Sequence, residues 1–205
     1  MVSVNGERLL SRINELGKIG KDTEGRRTRL AASDADKQGR DLVSEWMREA
    51  GLEVVTDRIG NIFGIWETPE NKDQAPLMIG SHIDTVINAG QFDGCLGVIS
   101  SIEVIKTLKD NGMVSARPVV AAAFTNEEGV RYSPDMMDSL VYAGGMDVEE
   151  ALDTVGTDGT ILRDELKRIG YEGTVEPGFI KPYAFVELHI EQGPVLDHEG
   201  IRIGA

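Results

Sequence analysis

Two short runs in this chain have no polar face. Leu77, Met78 and Ile79 follow one another, and so do the residues "VVAAAF" from Val119 to Phe124. A strand is apolar on both faces only when both are covered, so these runs belong inside a layered fold. Between them, "GVISSIEVIKTLKDNG" sets Val98, Ile102, Ile105 and Leu108 on one helical face. The alternation continues outward. "NGERLLSRINELGKIG" spaces Leu9, Leu10, Ile13 and Leu16 helically, with stops at Gly17 and Gly20. "ADKQGRDLVSEWMREAG" follows a cap at Ser33 or Asp34, buries Leu42, Val43, Trp46, Met47 and Ala50, and ends at Gly51. "LEVVTDRIGNIFGIWE" reads as two strands about a turn at Gly60-Asn61. After the second apolar run, "SPDMMDSLVYAGG" predicts a short helix with Pro134 near its first turn. "DVEEALDT" and "DGTILRDELKRIG" predict two more, each begun by an Asp, and "PYAFVELHIEQGPVLD" predicts a last strand. Strands alternating with helices define an α/β class with a mixed, largely parallel sheet.

Charge narrows the partners. The formal net charge is -14 and the isoelectric point is about 4.6. A surface of that sign repels nucleic-acid backbones and anionic membranes, so neither is expected as a partner. Cys95 is the single cysteine, which rules out an intrachain disulfide and fits a reducing, cytoplasmic setting. No stretch has the apolar run of a signal peptide or a membrane span.

Four segments put ionisable residues at or beside the ends of predicted strands. "GSHIDTV" holds His82 and Asp84 two apart, which places them on one side of a strand. His82 could bind a metal while Asp84 orients its other ring nitrogen, or the pair could be a structural hydrogen bond. "QFDGCLG" holds Asp93 before a helix, where Asp-Gly is also a common turn. "TNEEG" holds Glu127 and Glu128, which would otherwise be a solvated loop. "ELHIEQGPVL" holds His189 in an alternating apolar strand, with Glu187 and Glu191 on its own face. Alone, each has an ordinary structural reading. Together they place two of the three histidines in segments rich in carboxylates. Sites in α/β sheets gather at the carboxyl ends of strands, and mixed imidazole and carboxylate sets suit Zn²⁺, Mn²⁺ or a similar ion.

The blocks "GSHIDTV…GQFDGCLGV", "FTNEEGVRY" and "ELHIEQGPVL" resemble the signature segments of the hydantoinase/carbamoylase family of metal-dependent amidohydrolases, which includes N-carbamoyl-L-amino acid hydrolases, allantoate amidohydrolases and β-ureidopropionases. The blocks occur in family order. The resemblance implies a three-layer α/β/α catalytic domain like that of the di-zinc aminopeptidases. It implies two divalent metals, zinc or manganese, with nickel or cobalt as further options. His82 and His189 would hold one metal, Asp93 would bridge, and Glu128 would hold the second. Glu127 would be the general base acting on the bridging water, Asp84 would orient His82, and Gln192 would lie near a small ureido or carbamoyl substrate.

Family members are near double this length and are homodimers whose catalytic domain is interrupted by a lid and dimerisation domain. Residues 1–205 are thus expected to be the N-terminal part of that catalytic domain, without the late histidine that completes the second metal site. The sheet is then expected to end in an uncovered apolar edge. Asp135 and Asp138 stand where the family has small residues, and Ala89 and Gln91 replace a glycine and a basic residue. Three functions follow: a C–N hydrolase, a metal-binding remnant without turnover, or an oligomerisation module.

Overall fold

In a computed structural model, which describes residues 2–205, both wholly apolar runs lie inside a five-stranded sheet. The strands are β1 (Glu53–Thr56), β2 (Ile62–Trp66), β3 (Leu77–His82), β4 (Val119–Phe124) and β5 (Ala184–Val186), in the order β1-β2-β4-β3-β5. β3 runs parallel to β4 and to β5, whereas β2 is antiparallel to β1 and to β4. The sheet is therefore mixed, with parallel and antiparallel pairings in equal number.

The alternation of side chains along the strands creates two separate cores. Val119, Ala121 and Ala123 join Ile62 and Trp66 on one face. Helices α1 (Gly6–Leu16), α2 (Asp34–Glu49) and α3 (Cys95–Asp110) cover that face with Ile13, Leu16, Val43, Met47, Ile99, Ile102 and Ile105. Full burial of each such side chain contributes about 1.5–3 kcal/mol. Val120, Ala122 and Phe124 join Phe63 and Met78 on the opposite face, closed by Tyr142 and Ile180. Tyr142 ends α4 (Met137–Tyr142), which leads into α5 (Val148–Leu152) and α6 (Leu162–Ile169). These three short helices wrap a further cluster around Ile59 and Tyr132.

Three local expectations fail for identifiable reasons. Leu10 is 54% exposed, because Ile13 and Leu16 already fill the strip of α1 that meets the core. α6 is not begun by an Asp: its cap is Ile161, and Asp158 instead accepts from Thr160 within a turn and pairs with Arg131. The last strand stops at Val186. Beyond it Ser81 donates to the Glu187 carboxylate, and the chain crosses close to Gly97 of α3 before forming α7 (Val195–Glu199). His189 is therefore not on a strand, and Glu187 and Glu191 do not share a strand face with it. Glu191 accepts from the Val195 and Leu196 N–H groups at 2.8 and 2.9 Å, at the start of α7.

β5 is a sheet edge, and Phe185, Val186, Leu188 and Ile190 along or just beyond it are exposed. No helix among the described residues is long and apolar enough to cross a membrane.

Candidate metal centre

β3 and β4 end side by side, with His82 in register with Phe124. The segments that follow these two parallel strands thus emerge at one end of the sheet. His82 is buried, and its Nδ1 lies 3.0 Å from the Asp84 carbonyl. With Nδ1–H donating there, the Nε2 lone pair is free. Nε2 lies 3.4 Å from a Glu127 carboxylate oxygen and 3.8 Å from Asp93 Oδ1. Burial opposes a charge on this ring, but the carboxylates of Asp84 and Glu127 outweigh it and hold the imidazole above its ordinary pKa.

The orienting contact comes from the Asp84 backbone. The Asp84 carboxylate is 3.7 Å from the ring nitrogen, too far for a hydrogen bond. It accepts instead from the backbone N–H groups of Glu127 and Glu128 at 3.3 and 3.2 Å. Asp84 thereby ties the acidic loop after β4 to the end of β3. Burial pushes its carboxyl above the usual range, and His82 offsets part of that.

Two backbone features aim the remaining groups. Asn126 is left-handed, with φ 61°, and its amide donates to the Tyr132 carbonyl at 2.8 Å. Asparagine tolerates this conformation better than most residues. It turns the chain directly ahead of the two glutamates. Gly94 has φ +60°, and a Cβ there would lie 2.5 Å from the His82 ring. Glycine lets the Asp93 loop press against the imidazole. Asp93 Oδ1 sits 3.1 Å from His189 Nε2, and its Oδ2 accepts from Gln192 Nε2 at 2.6 Å. His189 Nδ1 faces the Ile190 carbonyl at 2.9 Å, and its Nε2 accepts a long 3.4 Å contact from the Gly94 N–H. The two imidazoles stack with centroids 6.1 Å apart.

His82, Asp93 and His189 form one set of close ligand atoms, and His82, Glu127 and Glu128 form another. They line a cavity of about 170 Å³ together with Asp135 and Gln192. The residues fit a divalent cation. Tetrahedral ligands at about 2.0–2.1 Å lie roughly 3.3 Å from one another, and the His189–Asp93 and His82–Asp93 separations of 3.1 and 3.8 Å bracket that. Glu128 Oε1 is buried with no hydrogen-bond partner. An orphaned acceptor of this kind is costly, and a cation would satisfy it. Burial, ahead of the neighbouring acids, pushes the Glu128 carboxyl above its usual range.

A buried ion pair supports the acidic loop from behind. Arg40 Nε meets Asp36 Oδ2 at 2.6 Å, and the same guanidinium donates to the Gly60 carbonyl and to Thr125 Oγ1. The Asn61 side chain accepts from the Thr125 N–H at 2.9 Å. Sequence reading missed this scaffold, because an (i, i+4) Asp–Arg pair on a helix looks like any solvated pair. Substituting Arg40→Met leaves Asp36 buried and unpaired. The expected loss is about 3–5 kcal/mol, read as a lower urea midpoint.

A mixed sheet with an imidazole and carboxylate cluster at the ends of its parallel strands is an α/β arrangement able to hold a divalent ion. The chain belongs to the Peptidase family M20/M25/M40, whose model matches residues 78–205. It is 42% identical over 201 residues to an N-carbamoyl-L-amino-acid amidohydrolase of Rhizobium meliloti, covering 98% of this chain and 48% of that protein. It is 38% identical to an allantoate deiminase of Arabidopsis thaliana, covering 95% of this chain and 38% of that protein. A hydantoinase/carbamoylase family amidase from Burkholderia multivorans superposes with a TM-score of 0.93 at 42% identity, over 97% of this chain and 48% of that one. The chain thus spans about half the length, or less, of the curated relatives it matches.

Proposed function

We propose that residues 1–205 carry the N-terminal part of a divalent-metal amidohydrolase site that cleaves a carbamoyl or ureido C–N bond of a small substrate. The observation that carries this reading is the convergence of two imidazole Nε2 atoms with three carboxylates, one of which has an orphaned buried oxygen. The names of the relatives support the substrate class.

His82, His189, Asp93 and Glu128 would hold the metals, zinc or manganese by donor type. When bound, such ions polarise a carbonyl and make water a nucleophile near neutral pH. The chain's own residues do the rest. Glu127 faces the same space as His82 Nε2 and is placed to take a proton from the attacking water. It can return that proton to the leaving nitrogen, the two halves of general base and acid work. Gln192 holds Asp93 Oδ2 and so sets which oxygen faces the histidines. Asp84 anchors both glutamates through their backbone N–H groups. The single cysteine fits a reducing, cytoplasmic setting.

Ammonia release from N-carbamoyl amino acids and allantoate, with zinc or manganese supplied, tests the proposal. Glu127→Gln is expected to lower the rate by about 10²–10⁴-fold while metal binding persists. Equal rates for the two proteins would remove Glu127 from the role of base. A second reading follows from the share of the relatives that this chain covers: a metal-binding module without turnover. Stoichiometric zinc binding with no ammonia release would select it.

A further inference from the structure

Arg27 and Arg29 are both buried, and every hydrogen bond their guanidinium groups make goes to a carbonyl oxygen or a sulfur. A buried cation without a carboxylate beside it depends on its full set of neutral acceptors. Part of that set is the end of α1. Arg27 Nε donates to the Gly17 carbonyl at 2.8 Å, and Arg29 Nη1 donates to the Leu16 and Ile19 carbonyls at 3.3 and 3.2 Å. The C-terminal end of a helix favours a cation.

Arg29 does more than close α1. It is 0% exposed, and its Nε donates to the Ile83 carbonyl at 2.7 Å. Ile83 stands between His82 and Asp84. Arg29 Nη2 meets Cys95 Sγ at 3.1 Å. Cys95 begins α3, next to Gly94 and two residues from Asp93. The Arg29 backbone joins the first of these segments as well: its N–H donates to Thr85 Oγ1 at 2.8 Å, and its carbonyl accepts from the Thr85 N–H at 2.9 Å. The segments that carry His82 and Asp93 thus meet on one planar group whose donors have fixed directions. Gly39 of α2 leaves room for the arm, since a Cβ there would lie 3.0 Å from Arg29 Cδ.

We propose that Arg29 is a positioning residue: its guanidinium holds the His82 and Asp93 segments together and so sets the spacing of the two ligands. Its importance for metal binding rests on the reading above, whereas the brace itself stands apart from it. Lysine cannot replace it, because a single ammonium head lacks the fork that reaches Ile83 and Cys95 in different directions.

Zinc affinity by calorimetry and the visible spectrum of the Co²⁺ form are the readouts, for the parent, Arg29→Lys, Arg29→Gln, Cys95→Ala and Leu152→Ala. Leu152 of α5 is buried in a separate cluster, so truncating it lowers stability without touching the brace. The Arg29 variants, shown to be folded by circular dichroism, are expected to bind zinc about 10–100-fold more weakly and to alter the Co²⁺ spectrum. Leu152→Ala is expected to match the parent in both. Cys95→Ala keeps the guanidinium and removes one acceptor, so a smaller loss of the same sign is expected; it decides the matter if the Arg29 variants do not fold. Parental zinc affinity in a folded Arg29 variant, or in Cys95→Ala where those variants do not fold, overturns the proposal, and so does an equal loss in Leu152→Ala. Amide exchange at Thr85 and Leu96 in the metal-free protein keeps the two readings apart. A parent that binds no zinc removes the metal centre, while faster exchange in the Arg29 variants would still show the brace. Parental affinity and exchange in those variants remove the brace and leave the metal centre standing.

Discussion

Replacing His82 with alanine is expected to weaken zinc or manganese binding by more than about 100-fold, the upper range for loss of a group that merely supports a ligand. The argument is geometric. His82 Nε2 belongs to both sets of close ligand atoms, so its removal leaves neither complete. His189→Ala opens only the set with Asp93 and leaves the Glu127 and Glu128 side intact. Calorimetric titration of the two variants therefore separates a shared ligand from an unshared one. His82→Ala should abolish the tight phase, and His189→Ala should reduce affinity or stoichiometry. Unchanged affinity in His82→Ala, with the fold retained by circular dichroism, would remove the metal centre altogether.

Removing the Asp138 carboxylate should stabilise the protein, which is the opposite of the usual effect of a buried substitution. Burial raises this carboxyl well above its usual range, and the nearby carboxylates of Asp84 and Glu127 push the same way. The folded state then holds a proton that the unfolded state releases. The favourable contribution is full below the unfolded value, about pH 4. It is lost as pH rises through the raised folded value, because the unfolded chain binds fewer protons there. Each pH unit between the two values removes about 1.4 kcal/mol. Asp138→Ala abolishes that slope. The parent and variant should have similar denaturant midpoints near pH 4, with the variant's midpoint the higher at pH 8. Parallel pH profiles for the two proteins would show that Asp138 is compensated in the folded state.

Both predictions concern residues whose roles differ in how plainly the sequence shows them. His82 was visible, because a histidine two residues from an aspartate at the end of an apolar run is a rare combination with a chemical reading. Asp138 stood out only against the family pattern; its burial comes from the packing of α4, whose Tyr142 meets Phe63 and Phe124. The role of Asp84 divided in the same way. Sequence spacing put its carboxylate on the His82 ring, but β3 ends at His82. Beyond the strand the two-residue repeat no longer applies, so the carbonyl takes the ring and the carboxylate takes the next loop.

The last segment shows the limit of periodicity. "VELHIEQG" alternates as a strand does, yet only Ala184–Val186 joins the ladder. Alternation reports a preference for a pleated, half-buried surface, and a strand needs a partner to supply it. After Ile79, β5 has no further partner on β3, and Ser81 and α3 draw the chain away. His189 reaches Asp93 because of that departure.

What the sequence by itself determined is the α/β class, the two inner apolar strands and the three long helices; the residues that cluster at the strand ends were marked out by the family resemblance. Hydrophobic periodicity and residue type are local, so they can be read without coordinates. Tertiary structure alone decided which atom of each residue does which task. The Arg40 scaffold, the backbone contact to His82, the glycine that admits Asp93 and the unpartnered Asp138 all depend on groups far apart in the chain, where desolvation and hydrogen-bond geometry are set only by packing.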